Sequence, residues 1–166
     1  LRSESSITRT QPKIDKLKET YLETIEKMAS GEGPWCAGIA DEENFNKEQL
    51  IEKVNHAYNS INLELDMKKA VSDADLIIES MAENPKDKIA FYKTLAPLLP
   101  EKTVIVTNSS TLLPSEFAKY TGRPEKYLSL HFAKSIWKNN TAEIMAQSMT
   151  DRKYFDEIMQ FSNDIR

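Results

Sequence analysis

Glycine is scarce in this chain. Only 4 of the 166 residues are glycine, where an average soluble protein carries roughly 7%, so little is available for a glycine-rich phosphate loop. Cysteine is scarcer still. The single Cys36 excludes an internal disulfide and suits a reducing cytosol, and no Cys/His cluster has metal-ligand spacing. No apolar run is long enough to cross a bilayer, and the first residues are polar and charged, unlike a secretory leader. There is no basic excess either: 22 Lys and Arg against 26 Asp and Glu give a net charge of −4, which argues against a nucleic-acid backbone as partner. Disorder is excluded by what is present. A chain that is 40% hydrophobic and 29% charged, with 6 Phe, 6 Tyr and 2 Trp, has the balance of a soluble globular domain of ordinary size.

Apolar residues at Ile14, Leu17, Tyr21, Leu22, Ile25 and Met28 recur every three or four positions, so residues 12–29 read as an amphipathic helix with Pro12 near its start. Gly31 and Gly33 stop it, and Gly31 to Asp41 reads as a loop. Asn46 can cap a second helix over 47–60 that turns Leu50, Ile51, Val54 and Tyr58 inward; His56 on it reads as an ordinary solvated residue. Ile61 to Leu65 is a short alternating segment and Met67 to Val71 a helical turn. Ala74 to Met81 is apolar enough for a strand covered on both faces, as is Thr103 to Thr107. Between them Pro85 to Leu95 is a helix halted by Pro97 and Pro100. Pro114 to Tyr120 is a short helix closed by Gly122. Tyr127 to Phe132 and Thr141 to Met145 are two further strands, and 151–165 is a last amphipathic helix with Asp151 at its cap.

Strands alternating with helices imply an α/β fold: a Rossmann-like, doubly wound, mostly parallel sheet with helices on both faces. Ligands of such sheets lie beyond the carboxyl ends of the strands. There the chain places Met81-Ala82-Glu83, Asn108-Ser109-Ser110 and His131, with Glu143 inside the last strand. Neighbouring strands lie about 4.8 Å apart, so a carboxylate on one can reach an imidazole on the next. A His131–Glu143 pair would fix one tautomer and raise imidazole basicity, as a general base requires. The bland alternatives stay open here. Asn-Ser-Ser can simply cap a helix, His131 can be a satisfied core residue, and Glu143 a solvated one. No Gly-x-Ser-x-Gly elbow surrounds Ser109 or Ser110, which disfavours a serine nucleophile.

The runs Ser72 to Pro85, Thr107-Asn108-Ser109-Ser110-Thr111, Thr121 to Lys126, Leu130-His131-Phe132 and Asn140-Thr141-Ala142-Glu143 together resemble the 3-hydroxyacyl-CoA dehydrogenase family, specifically its bacterial short-chain 3-hydroxybutyryl-CoA branch. The resemblance is good over residues 66–166 and loose over the first 65, which look like the helical hairpin such enzymes place after their second strand. It implies NAD-dependent interconversion of a 3-hydroxyacyl-CoA and its 3-ketoacyl-CoA, in fatty acid or butanoate metabolism. It also implies His131 as base, Glu143 orienting it, and Ser110 bonding the substrate oxygen close to the nicotinamide. Glu83, Lys88 and Asn108 join Ser110 in the cofactor site. A cytoplasmic protein that is a homodimer when complete is implied as well.

The sequence departs from the family pattern in three places. The Gly-x-Gly-x-x-Gly fingerprint is absent, since Gly31-Glu32-Gly33 has Cys36 at the required third position and follows a helix. The family's Asn after His-Phe is replaced by Lys134. The all-helical domain expected after the last helix is not present. The chain therefore reads as one incomplete dinucleotide-binding domain over 1–166, with a helical excursion at 12–60, beginning at the end of the second strand and lacking the first. As a fragment it is expected to be inactive alone. On that register Leu1-Arg2-Ser3, with Arg9 nearby, stands where an acidic residue usually holds the ribose of NAD, so NADP is possible. A different class of reading is a non-catalytic truncated relative acting as a binding or structural module.

Overall fold

The computed structural model describes residues 3–165. They form two compact units, one of 66–133 with 141–165, the other of the residues up to 65 with 134–140.

The first of these units holds a four-stranded sheet. Asp66 caps the short α3 (Met67–Val71) by accepting from Lys69 N. Strand β1 (Leu76–Glu79) follows, then α4 (Pro85–Leu95), whose Asn84 cap accepts from Lys86 N and Asp87 N while Pro85 takes a first-turn position that needs no N–H. Strands β2 (Val104–Thr107), β3 (Tyr127–Phe132) and β4 (Ala142–Met145) complete the sheet in the order β1-β2-β3-β4. The first three are parallel and β4 runs antiparallel to β3. Helix α5 (Arg152–Asp164) is capped by Asp151, which accepts from Lys153 N.

The doubly wound, mostly parallel architecture read from the sequence is present. Alternate residues of the strands feed two cores. Ile105 and Tyr127 join Tyr92 and Leu95 of α4 on one face, and Val104, Val106, Leu128 and Leu130 join Ile158 of α5 on the other. On the α4 face Glu79, Thr107 and Ser129 stand in register across three parallel strands. His131 lies one pleat further along β3 on that face.

Three local expectations need correction. Strand β1 is not covered on both faces: among the described residues it pairs only with β2, and Ile78 remains 41% exposed. The expected short helix over 114–120 is two 3₁₀ turns, Pro114–Glu116 and Ala118–Tyr120, broken at Phe117, which turns inward and is buried. Gly122 closes it as expected, at φ 70°. Residues 61–65 carry no regular structure.

The second unit is built on α1 (Glu4–Ser30) and α2 (Lys47–Ser60). Helix α1 starts eight residues before the expected boundary, and Pro12 lies inside it. Its first turns are polar, and apolar periodicity becomes visible only from Ile14. The two helices are antiparallel: Tyr58 OH near the end of α2 donates to Asp15 in the first half of α1 (2.8 Å), and Lys47 at the start of α2 pairs with Glu26 near the end of α1 (2.7 Å). Asn46 accepts from Gln49 N as its sequence position predicts. Gly31 ends α1 at φ 74°. In the loop beyond, Trp35 packs edge-on against Phe45 and donates to Ala40 O. Gly38 is required by close approach, because a Cβ there would fall 1.9 Å from the Ile136 carbonyl oxygen. Trp137 of the 134–140 segment packs on Tyr21 of α1, ring centroids 5.9 Å apart.

Candidate active site

The sheet brings together the two residues on which the acid–base reading depends. His131 and Glu143 are directly opposed in the β3–β4 register, and His131 Nδ1 lies 3.1 Å from Glu143 Oε2. An ionised carboxylate can only accept, so Nδ1 carries the shared hydrogen, which in the neutral imidazole leaves the lone pair on Nε2. The side chains are 28% and 65% exposed, which leaves the pair open to an incoming ligand.

The turn after β2 is fixed by its own side chains. Ser109 Oγ donates to Glu83 Oε2 (2.5 Å) and accepts from Leu112 N (3.3 Å). Thr111 Oγ1 donates to the same Glu83 oxygen at 3.1 Å, and the Ser110 backbone adds a further hydrogen bond to that carboxylate. Ser110 itself stays exposed at the crest of the turn. Partial burial disfavours the Glu83 charge, but the bonds from Ser109 and Thr111, with the positive charge of Lys88, outweigh it and hold the carboxyl below the usual glutamate range.

Two expected cofactor contacts are placed differently. Lys88 does not line an open surface: it is 0% exposed, and its ammonium donates to both oxygens of Glu79 at 2.9 and 2.8 Å. Its position predicts this. Lys88, Tyr92 and Leu95 recur at helical spacing on the inward face of α4. Asn108 uses its side-chain oxygen to accept from the backbone of Phe132 at 3.0 Å, which fastens the β2 turn to the end of β3 beside His131.

The site also contains groups that sequence reading missed. Glu79, 2% exposed, accepts from Lys88, from Tyr92 OH (2.9 Å), from Thr107 Oγ1 (2.8 Å) and from Met81 N (2.5 Å). Tyr92 and Tyr127 share a hydrogen bond at 3.0 Å, and burial pushes both hydroxyls well above the usual tyrosine value. A glutamate in the apolar run Leu76-Ile77-Ile78-Glu79 facing a lysine on an apolar helix stripe was the available signal. Of the candidate ribose contacts, Leu1 and Arg2 lie outside the described residues, and Arg9 is exposed on α1. Lys134 is exposed, its carbonyl accepting from Asn139, and Ser135 after it adopts φ 58°. Among the described residues no group of His, Cys, Asp and Glu is arranged to hold a metal, and no helix is long and apolar enough to cross a membrane.

Comparison with known proteins gives a consistent result. Residues 16–166 match the family "3-hydroxyacyl-CoA dehydrogenase, NAD binding domain", so the likeness reaches well into the helical unit and beyond the range apparent from motifs. A 3-hydroxybutyryl-CoA dehydrogenase of Clostridioides difficile is 30% identical over 95% of the chain and 50% of its own length. The mitochondrial hydroxyacyl-coenzyme A dehydrogenase of Sus scrofa is 28% identical over 96% of the chain and 48% of its own length. Among solved structures, a diketoreductase described in connection with dual catalysis of dicarbonyl compounds is 34% identical, with a TM-score of 0.79 over 99% of this chain and 51% of that one. The chain spans about half the length of the curated relatives it matches.

Proposed function

The chain belongs to the 3-hydroxyacyl-CoA dehydrogenase family, and from that premise we propose that it carries the acid–base half of an NAD-dependent interconversion of 3-hydroxyacyl-CoA and 3-ketoacyl-CoA. The observation that carries this reading is the His131–Glu143 pair, 3.1 Å apart at the end of β3.

In the oxidative direction Nε2 of His131 takes the proton of the C3 hydroxyl, and the negative charge of Glu143 stabilises the imidazolium that forms. The exposed hydroxyl of Ser110 donates to the C3 oxygen and holds it as it becomes a carbonyl. Bound NAD would supply the hydride acceptor. The residues present suit its nicotinamide and ribose end, where Ser110 and Glu83 stand on the turns beyond β2 and β1. They do not supply a pyrophosphate cradle, because no Gly-x-Gly-x-x-Gly occurs among them. On the same reading the 166 residues act as one dinucleotide-binding domain with a helical insertion, in a cytoplasmic homodimer. The buried, free thiol of Cys36 suits reducing surroundings.

The test is reduction of acetoacetyl-CoA by the complete open reading frame that encodes this chain, with NADH and NADPH in parallel. Turnover with NADH is the expected result, and a folded protein with no turnover on either cofactor would leave a non-catalytic binding module as the better reading. A second substrate class, a dicarbonyl compound, is favoured by the 34% identity to the diketoreductase. A diketo ester in the same assay separates the two.

A further inference from the structure

We infer that Thr107 is a positioning residue: its side chain transmits the geometry of the buried Glu79–Lys88 ion pair to the turn that carries Ser110. This deepens the functional reading above and rests on it.

Thr107 closes a strand whose other residues are Val104, Ile105 and Val106, and it is 1% exposed. Packing and strand propensity alone would favour another valine there. Instead the position carries a hydroxyl that meets polar groups, beside a backbone carbonyl that meets another. Its hydroxyl donates to Glu79 Oε2 at 2.8 Å and accepts from Ser109 N at 3.2 Å, while its carbonyl accepts from Ser129 Oγ at 3.2 Å. The hydroxyl also meets the Tyr127 side chain, so its rotamer is fixed between the Glu79 carboxylate, Tyr127 and the Ser109 amide. Ser109 then holds Glu83, and Ser129 lies two residues before His131. Asn108, the next residue, fastens Phe132 on the other side of His131.

A continuous chain of hydrogen bonds thus runs from Lys88 through Glu79, Thr107 and Ser109 to Glu83, with a branch to β3. It sets where Ser110 stands with respect to His131. A buried ion pair is weak support for stability, since an apolar replacement of similar volume is often no worse. Placed one pleat below the reacting groups, with every carboxylate oxygen bonded, its effect is to specify geometry, which is what a base and an oxygen-binding hydroxyl need from their scaffold.

The experiment compares Thr107→Val, which removes the hydroxyl at constant shape, with Thr107→Ser, which keeps it, in the complete protein. Amide exchange is read at Ser109 and Phe132 against Ile105 in mid-strand, together with turnover on acetoacetyl-CoA. Thr107→Val is expected to accelerate exchange at Ser109 and Phe132 and to lower kcat, each by about tenfold or more, the factor set by ~1.4 kcal/mol. Thr107→Ser is expected to stay within about twofold of wild type in both, a difference under ~0.5 kcal/mol. Unchanged exchange in Thr107→Val overturns the inference. So does accelerated exchange with wild-type kcat, which would make Thr107 structural only. If the wild-type protein turns over no acyl-CoA, the functional reading fails separately, and exchange alone decides whether Thr107 holds the turn.

Discussion

Glu83 lies at the tip of the β1 turn and gathers the β2 turn around it, through Ser109 at 2.5 Å and Thr111 at 3.1 Å. These bonds favour the ionised form, so the folded protein holds this carboxyl below its unfolded value despite partial burial. For a depressed carboxyl, the contribution to stability is fully present above the unfolded value and is lost as the pH falls through the folded one. The turn bearing Ser110 should therefore loosen on acidification beyond the ordinary glutamate range, and Ser109→Ala should raise the Glu83 pKa toward its usual value. Carbon-detected titration of the Glu83 carboxyl measures this directly; an unmoved midpoint in Ser109→Ala would show that Ser109 does not set it. For the neighbouring pair, His131→Ala should lower kcat by about 10²–10⁴-fold, the range for loss of a positioned base, with cofactor affinity nearly unchanged. Glu143→Gln keeps an acceptor for Nδ1 but removes the charge, so it should lower kcat by less than His131→Ala while leaving KM in place. Steady-state kinetics with cofactor titration checks both, and wild-type kcat in either variant would remove that residue from the mechanism.

Between β1 and α4 the same chemistry becomes a matter of packing. Lys88 and Glu79 are the charged residues buried between β1 and α4, paired with one another beside the Tyr92 and Thr107 hydroxyls. Removing one partner leaves the other buried and uncompensated, so Lys88→Met should cost roughly 3–5 kcal/mol. Glu79→Gln together with Lys88→Met should cost less than the sum of the two single changes, because the double variant strands no charge; urea denaturation of the four proteins tests this, and strict additivity would mean that the pair does not interact. This pair also shows what the sequence could and could not disclose. Helices with a capping residue before an apolar stripe, at Asn46 and Asp151, are legible because cap and periodicity are local signals. The start of α1 is not, because its first turns are polar; nor are the 3₁₀ turns, where burial of Phe117 overrides helical spacing. The opposition of His131 and Glu143 is legible from strand order and spacing. Motif position puts Lys88 in the cofactor site, whereas its helical spacing with Tyr92 and Leu95 turns it inward, and a threonine in a strand, such as Thr107, is unremarkable until its hydroxyl partners are known.

The two units differ in how much they bury, and this predicts a graded stability. In the sheet unit every residue of β2 and the first four of β3 are buried, with cores on both faces. Among the described residues of the helical unit burial is confined to Ile25, Met28 and Cys36, and α2 has no buried residue at all. Its helices meet through half-buried apolar side chains and through surface contacts such as Lys47–Glu26, whose partners are both substantially exposed and which contributes at most about 1 kcal/mol. Local opening free energy follows buried apolar contact, ranging from near zero up to the global value. Amides of α2 should therefore exchange through smaller openings than those of Val106 and Leu128, and denaturant should release the helical unit before the sheet, so that a single two-state transition does not describe the chain. Native-state hydrogen exchange across a denaturant series resolves the two sets. Equal opening free energies and equal denaturant slopes for Val54 and Val106 would mean that the units unfold as one, and that the surface contacts of the hairpin carry far more cohesion than their exposure allows.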